Sequence, residues 1–239
     1  MKYRISLLSR SRLYGQSLVL AILQLSLALF VSQYVYNEYQ GSATYVILAL
    51  IVVAMTLITL SFAFILERLG THKRLMLLIY ILVILMLLVG ASPLFNMDFL
   101  GDYKPIVFSL FHVFLFGLEA LLFVRILADI FQSHETEADH IWGAILCYFM
   151  ILYMFGELYE VITLFNPTYL GAVFEMGLPN YVNCIVYSLN TLSGLDSLYP
   201  DAHGMMKRIA SLESVIGNLF LVVVLGRLLS HPVNFKKTV

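Results

Sequence analysis

The sequence predicts an all-α membrane protein of six transmembrane helices, with a re-entrant pore helix and loop between the fifth and sixth. Three observations carry that expectation. Hydrophobic residues make up 61% of the 239 and charged ones 12%, against about 45–50% and 25% in ordinary soluble domains. Six apolar runs are long enough to cross a bilayer, which takes roughly 20 residues. A half-apolar run too short to cross and a polar loop stand directly before the last of them. Irregular backbone at membrane depth is tolerated only where protein buries it or where it lines a watery cavity. The net charge of -1, without a basic block, points to no nucleic-acid partner.

The candidate spans are about 17–36, 44–66, 75–94, 105–131, 141–164 and 207–229. The first is too long for a signal-peptide core and has no convincing small-residue cleavage site. Eleven of the fourteen Lys and Arg fall at the amino end, in the loop after the second span, at Arg125 and in the tail; Lys104, Lys207 and Arg208 fall on the other side. By the positive-inside bias both termini are cytoplasmic in a multi-pass protein of the cell (inner) membrane, and the loop 193–203 faces outward. The expected organisation is a cytoplasmic amino end (1–16), a four-span scaffold (17–132), a pore module (138–231) and a short cytoplasmic tail (232–239). With that tail and such short loops, no nucleotide-, calcium- or ligand-binding module is expected at the end of the sequence.

The stretch 181–227 organises the rest. Its short run, 181–191, predicts a helix of about three turns. The loop that follows carries Asp196 between two hydrophobic helices, and intramembrane acids are functional candidates by default. Residues 187–200, YSLNTLSGLDSLYP, resemble the pore loop of potassium channels with two-helix pore modules, written FSFVTLTTLGYGDIVP. Aligned from the shared Pro200, Thr191 matches a threonine and Gly194 the first filter glycine. Residues 206–229 resemble the inner helix of the bacterial six-span members of that family, through Arg208, Glu213, Gly217, Leu219, Leu221 and Arg227. Residues 138–159 are similar to their outer helix. The likeness covers a little under half of the chain.

The resemblance implies a homotetramer with the pore on its fourfold axis and a filter over Thr191, Leu192, Ser193, Gly194, Leu195, Asp196 and Ser197. It implies a bending point at Gly217, supported by Glu213, whose carboxylate is expected to bond the pore-loop backbone or a neighbouring subunit. A potassium filter replaces the ion's water with rings of backbone carbonyls, and its glycines supply conformations that other residues avoid. Here the family's G-Y-G-D becomes Gly194-Leu195-Asp196-Ser197, so one glycine is kept and an acid replaces the other. Two readings stand. With Asp196 toward the axis, a carboxylate ring binds the permeant cation, and the pore is weakly selective or favours divalents. With Asp196 turned away, a variant carbonyl filter keeps potassium selectivity. A third reading is a non-conducting scaffold or regulatory subunit.

In six-span channels the first four spans occupy the place of a voltage sensor, but the fourth span here carries one arginine, Arg125. One charge yields only about 2.3 kcal/mol per 100 mV, and steep gating needs three or four per subunit. Strong voltage gating is therefore not expected. Arg125 and Asp129 stand four apart as a local ion pair. His112 and Glu119, seven apart on one face, read either as a proton-sensitive pair or ion site, or as buried groups satisfied by a neighbouring helix. Glu157 and Glu160, three apart near the outer end of the fifth span, either draw cations to the mouth or bond the first spans or the pore loop.

The run 134–140, HETEADH, has the composition of a metal site. It is equally that of a solvated helix start capped by Thr136 or Asp139. Trp142 suits an interfacial anchor, and Cys147 and Cys184 read as small buried residues without metal spacing. No nucleophile–base constellation is recognisable, so an enzyme is not expected. No cofactor is implied, and the partners expected are monovalent and possibly divalent cations, membrane lipid and three further copies of the chain.

Overall fold

The computed structural model describes residues 14–26, 42–90, 98–132, 138–174, 176–195 and 198–230. Among them the chain is all-helical and has no strand. Helix α1 covers residues 14–26; α2 is Ser42–Arg68 and α3 is Lys73–Gly90. A 3-10 turn, Asp98–Tyr103, leads into α4, Lys104–Gln132. Then follow α5 (Ala138–Phe165), α6 (Leu178–Ser193) and α7 (Gly204–Leu229). Among the described residues three stretches are long and apolar enough to cross a membrane: Gly101–Gln132, His140–Phe165 and Gly204–Leu229.

The second half of the molecule is built around α5, which packs along α4, α6 and α7. Of the three long apolar stretches it is the most enclosed, and Leu146, Cys147, Met150 and Tyr159 on it are fully buried. Small residues set its distances to its neighbours. A Cβ at Gly156 would overlap Ile185 Cδ1 of α6, and one at Gly143 would come within 2.9 Å of Ile126 Cγ2 of α4. Glycine lets two backbones approach closely in this way, a common device where helices have no hydrophobic drive to associate.

In the first half, the described helices are joined as follows. Helices α2 and α3 pair across the short turn 69–72, where Gly70 takes a φ of 83° and the Thr71 amide donates to Leu66 O. Tyr80 donates to Glu67 across the same pair (3.0 Å). Helix α1 is held by Ser17 against Ser61 of α2 and by the Tyr153 hydroxyl of α5, which donates to Ala21 O at 2.7 Å.

Among the described residues the expected spans 44–66, 105–131, 141–164 and 207–229 and the short helix fall on helices; the spans 17–36 and 75–94 do so as far as residues 26 and 90, and their remainders lie outside the described residues. The short helix is longer than 181–191 because a chain break of a different kind starts it. Gly177, at φ 106°, precedes it, and Pro179 sits in its first turn, where its missing amide hydrogen costs nothing. At the other end Gly194 takes the left-handed conformation (φ 67°) that closes many helices. The capping alternatives at the start of α5 narrow likewise. Thr136 lies outside the described residues, and Asp139 is inside the helix, not at its cap.

Candidate functional site

Helix α6 and the loop after it carry most of the residues expected to form an ion path. Thr191, Leu192 and Ser193 differ from an extended filter: they form the last turn of α6. Thr191 Oγ1 donates to Tyr187 O (2.9 Å) and Ser193 Oγ to Leu189 O (2.7 Å), so both hydroxyls fold back on their own helix. The αL turn at Gly194 brings the Leu195 amide to Asn190 O at 3.1 Å and the Gly194 amide to Thr191 O at 3.4 Å. Those two carbonyls thus end a helix. Leu195 is 64% exposed; Asp196 and Ser197 lie outside the described residues.

The chain returns to α7 along a tethered path. Tyr199 donates to Asn183 Oδ1 (2.6 Å) and meets the Tyr187 ring edge-on. Burial holds the Tyr199 hydroxyl above the usual phenol range. His203 stacks on Tyr169 with ring centres 4.1 Å apart, and its amide donates to Tyr169 O. Its Nδ1 then accepts from the Met205 amide and caps α7. Between the end of α6, this return path and α7 lies a cavity of about 410 Å³, into which Asn190, Thr191, Lys207 and Ser211 face.

Two buried acid clusters stand behind α6. The first is centred on Glu213 of α7, which is fully buried. The Tyr159 hydroxyl of α5 donates to Glu213 Oε2 at 2.6 Å, and Ser188 Oγ of α6 is hydrogen-bonded to Glu213 Oε1. Ser188 Oγ also stands 2.8 Å from Leu152 O. A hydroxyl has one hydrogen to give, so the set closes when Glu213 is protonated. Glu213 then donates to Ser188, Ser188 to Leu152 O, and Tyr159 to Glu213. Three helices are joined with no polar atom left over. Glu213 was expected to bond the pore-loop backbone or a neighbouring subunit; within the chain its partners are the Tyr159 and Ser188 side chains of α5 and α6.

Gly217, one turn on, belongs to the same contact. A Cβ there would come within 2.5 Å of Leu192 Cδ2, and α7 runs unbroken through it. Its lack of a side chain serves the close packing of α6 on α7.

The second cluster lies between α4, α5 and the start of α6. Of the two readings of His112 and Glu119, a proton-sensitive pair or ion site and buried groups satisfied by a neighbouring helix, the second describes His112, whose Nδ1 is bonded to Glu157 Oε2 of α5. Its Nε2 stands 3.8 Å from Glu160 Oε1. Glu160 Oε2 accepts from Asn180 Nδ2 (2.7 Å), whose second hydrogen goes to Thr163 Oγ1 (2.7 Å). Tyr181 stacks on the His112 ring, centres 5.4 Å apart. Glu157 and Glu160 are 1% and 0% exposed, so neither stands at an open mouth. Among the described residues three buried carboxylate oxygens, Glu119 Oε2, Glu157 Oε1 and Glu160 Oε1, have no hydrogen-bond partner.

The structure therefore brings together Glu213 with the end of α6, and His112 with Glu157, Glu160 and Glu119. Sequence reasoning missed Ser188, Tyr159, Asn180 and Tyr181. The signal available for Asn180 and Ser188 was a polar side chain in a half-apolar helix, which says that a partner exists but not which one. Among the described residues no three His, Cys, Asp or Glu side chains are placed to hold a metal ion. Residues 134–137 of the HETEADH run lie outside the described residues, and His140 is buried. Cys147 and Cys184 are buried thiols.

No protein-family model, no curated protein and no solved structure matches the chain.

Proposed function

We propose that the chain is one subunit of a homotetrameric cation channel of the cell membrane. In this reading it has six spans, both termini are cytoplasmic, and α6 is a re-entrant pore helix. Helix α6 carries the reading. Its sixteen residues extend about 24 Å at 1.5 Å each, short of a hydrocarbon core of about 30 Å. It is wedged against α5 and α7, and it ends in a left-handed turn leading to a polar loop. The apolar stripe Leu212, Val215, Leu219 and Val222 on α7 is more than half exposed and is available to neighbouring copies and lipid.

The engagement of Asn190 O and Thr191 O in the helix end favours a carboxylate ring at Asp196 over a carbonyl filter. Four acids around one axis bind cations in hydrated form, with weak discrimination among monovalents and a preference for divalents.

Planar-bilayer recording from the purified protein under K+/Na+ and K+/Ca2+ gradients tests this directly. Wild type should pass monovalent cations with similar permeabilities and be blocked by Ca2+. Asp196→Asn should relieve the block, and Tyr-Gly-Asp in place of residues 195–197 should raise K+ over Na+ permeability. No cation current would favour the scaffold reading; unchanged block in Asp196→Asn would take that side chain off the ion path. Labelling by an impermeant thiol reagent of cysteines placed at Asn37, Lys104 and Asp201, with Thr71 protected, checks the topology.

A further inference from the structure

We propose that His112, Glu119, Glu157 and Glu160 form a buried proton-binding site whose occupancy is transmitted to the amino end of α6 through Asn180 and Tyr181. The site is separate from the loop to which the ion path is assigned, and its chemistry does not depend on that assignment.

The argument begins with charge. Three acids and one base share an interior in which His112, Glu119, Glu157 and Glu160 are all buried. Helix α4 contributes His112 and Glu119, and α5 contributes Glu157, Glu160 and Tyr153. From α6 come Tyr181 and Cys184. The Tyr153 hydroxyl is committed to Ala21 O, the Tyr181 hydroxyl faces Glu157, and Cys184 lies against Thr163 and faces Glu160. Among the described residues His112 is the one base paired with these carboxylates. If all four groups were ionised, the cluster would carry two uncompensated negative charges. Buried carboxylates in that position take up protons, because the charged form loses its hydration without gaining a partner.

The unpartnered atoms show where those protons belong. Glu157 is bonded to His112, and of the other two acids Glu119 Oε2 and Glu160 Oε1 are buried with no hydrogen-bond partner among the described residues. Among the described residues these oxygens do not converge as metal ligands, and the compensation assigned to them is protons. The Glu213 cluster provides the contrast, since one proton there completes every bond.

The transmission is geometric. Asn180 is in the first turn of α6, and its amide bridges Glu160 and Thr163. A hydrogen bond to an ionised carboxylate is roughly twice as strong as one to a neutral acid. Proton release therefore tightens α6 at its start and proton uptake loosens it. Tyr181 stacks on His112, and its neighbour's charge state alters that contact in the same turn.

The test uses the purified full chain in lipid membranes and no current measurement. Infrared difference spectra between mildly acidic and mildly alkaline buffer read the carbonyl stretch of protonated carboxyls. Wild type should gain such bands on acidification, with Glu119→Gln and Glu160→Gln each removing one. Asn180→Ala should keep them but shift the Glu160 band. Hydrogen exchange in the first turn of α6, corrected for intrinsic pH dependence, should rise roughly fivefold on acidification in wild type and lose that response in Asn180→Ala. Bands that ignore both Gln substitutions, or that follow Na+ or K+ in place of choline rather than pH, would overturn the proton assignment. Exchange in α6 that is independent of pH in wild type would overturn the transmission.

Discussion

Two acid clusters lie behind α6, and they differ in completeness. Around Glu213, two hydroxyls and a backbone carbonyl satisfy every polar atom once the acid holds a proton. Around His112, three carboxylate oxygens have no hydrogen-bond partner among the described residues, in an equally buried setting. A complete set of bonds fixes three helices in one arrangement. An incomplete one leaves the protonation state open to its surroundings, which is the condition for a responsive site. The comparison assigns the end of α6 to a clamp and its beginning to a sensor.

Breaking the His112–Glu157 contact between α4 and α5 has the largest expected effect. His112→Ala strands Glu157 as a buried acid without its partner, and removal of one member of such a pair costs about 3–5 kcal/mol. Denaturant unfolding of the detergent-solubilised protein measures it. A loss below about 1 kcal/mol would mean that the pair is not held charged, and the contrast between clusters would collapse.

Glu213→Ala comes next. It strands the Tyr159 hydroxyl in a buried site, at about 1–3 kcal/mol, while Ser188 keeps Leu152 O as an acceptor. Glu213→Gln sharpens the point, because an amide reproduces the donor and acceptor of a protonated acid. Its stability should match wild type to within about 1 kcal/mol. If Gln costs as much as Ala, Glu213 is ionised and the clamp is of another kind.

Gly156→Ala probes the wall that both clusters share. The added methyl overlaps Ile185 of α6, and overpacking of that sort costs about 1–3 kcal/mol. Ile185→Val in the same chain should restore part of the loss. Failure of that rescue would show that α5 and α6 can separate without penalty.

The smallest effect is expected from Glu119→Gln, at less than about 1 kcal/mol, since Glu119 Oε2 has no bond to lose. A loss as large as that of His112→Ala would reveal a partner for Glu119 and would remove the asymmetry between the clusters.

Much of the architecture was legible in the chain. Apolar run length placed every long helix, since a membrane imposes a minimum length that composition alone reports. The short helix was legible from its apolar run, but its ends were set by Gly177, Pro179 and Gly194, punctuation with local physical meaning. The αL conformation of Gly194 follows from its glycine, whereas the helical state of Thr191–Ser193 does not follow from their likeness to a filter. Their hydroxyls can bond their own helix as readily as serve a loop, and only the packed backbone chooses.

The acids divide along the same line. The sequence by itself determined that His112, Glu119, Glu157, Glu160 and Glu213 sit in apolar helices and so need partners. Helical spacing even placed His112 with Glu119 and Glu157 with Glu160 on common faces. Which acid meets the histidine was decided by the tertiary structure, through the register of α4 against α5. That register is set by close approaches such as Gly143 on Ile126, and a shift by one turn would exchange the partners without altering any local preference. Tyr159 and Ser188 meet at Glu213 for the same reason: three helices must converge before any of them has a bond to make.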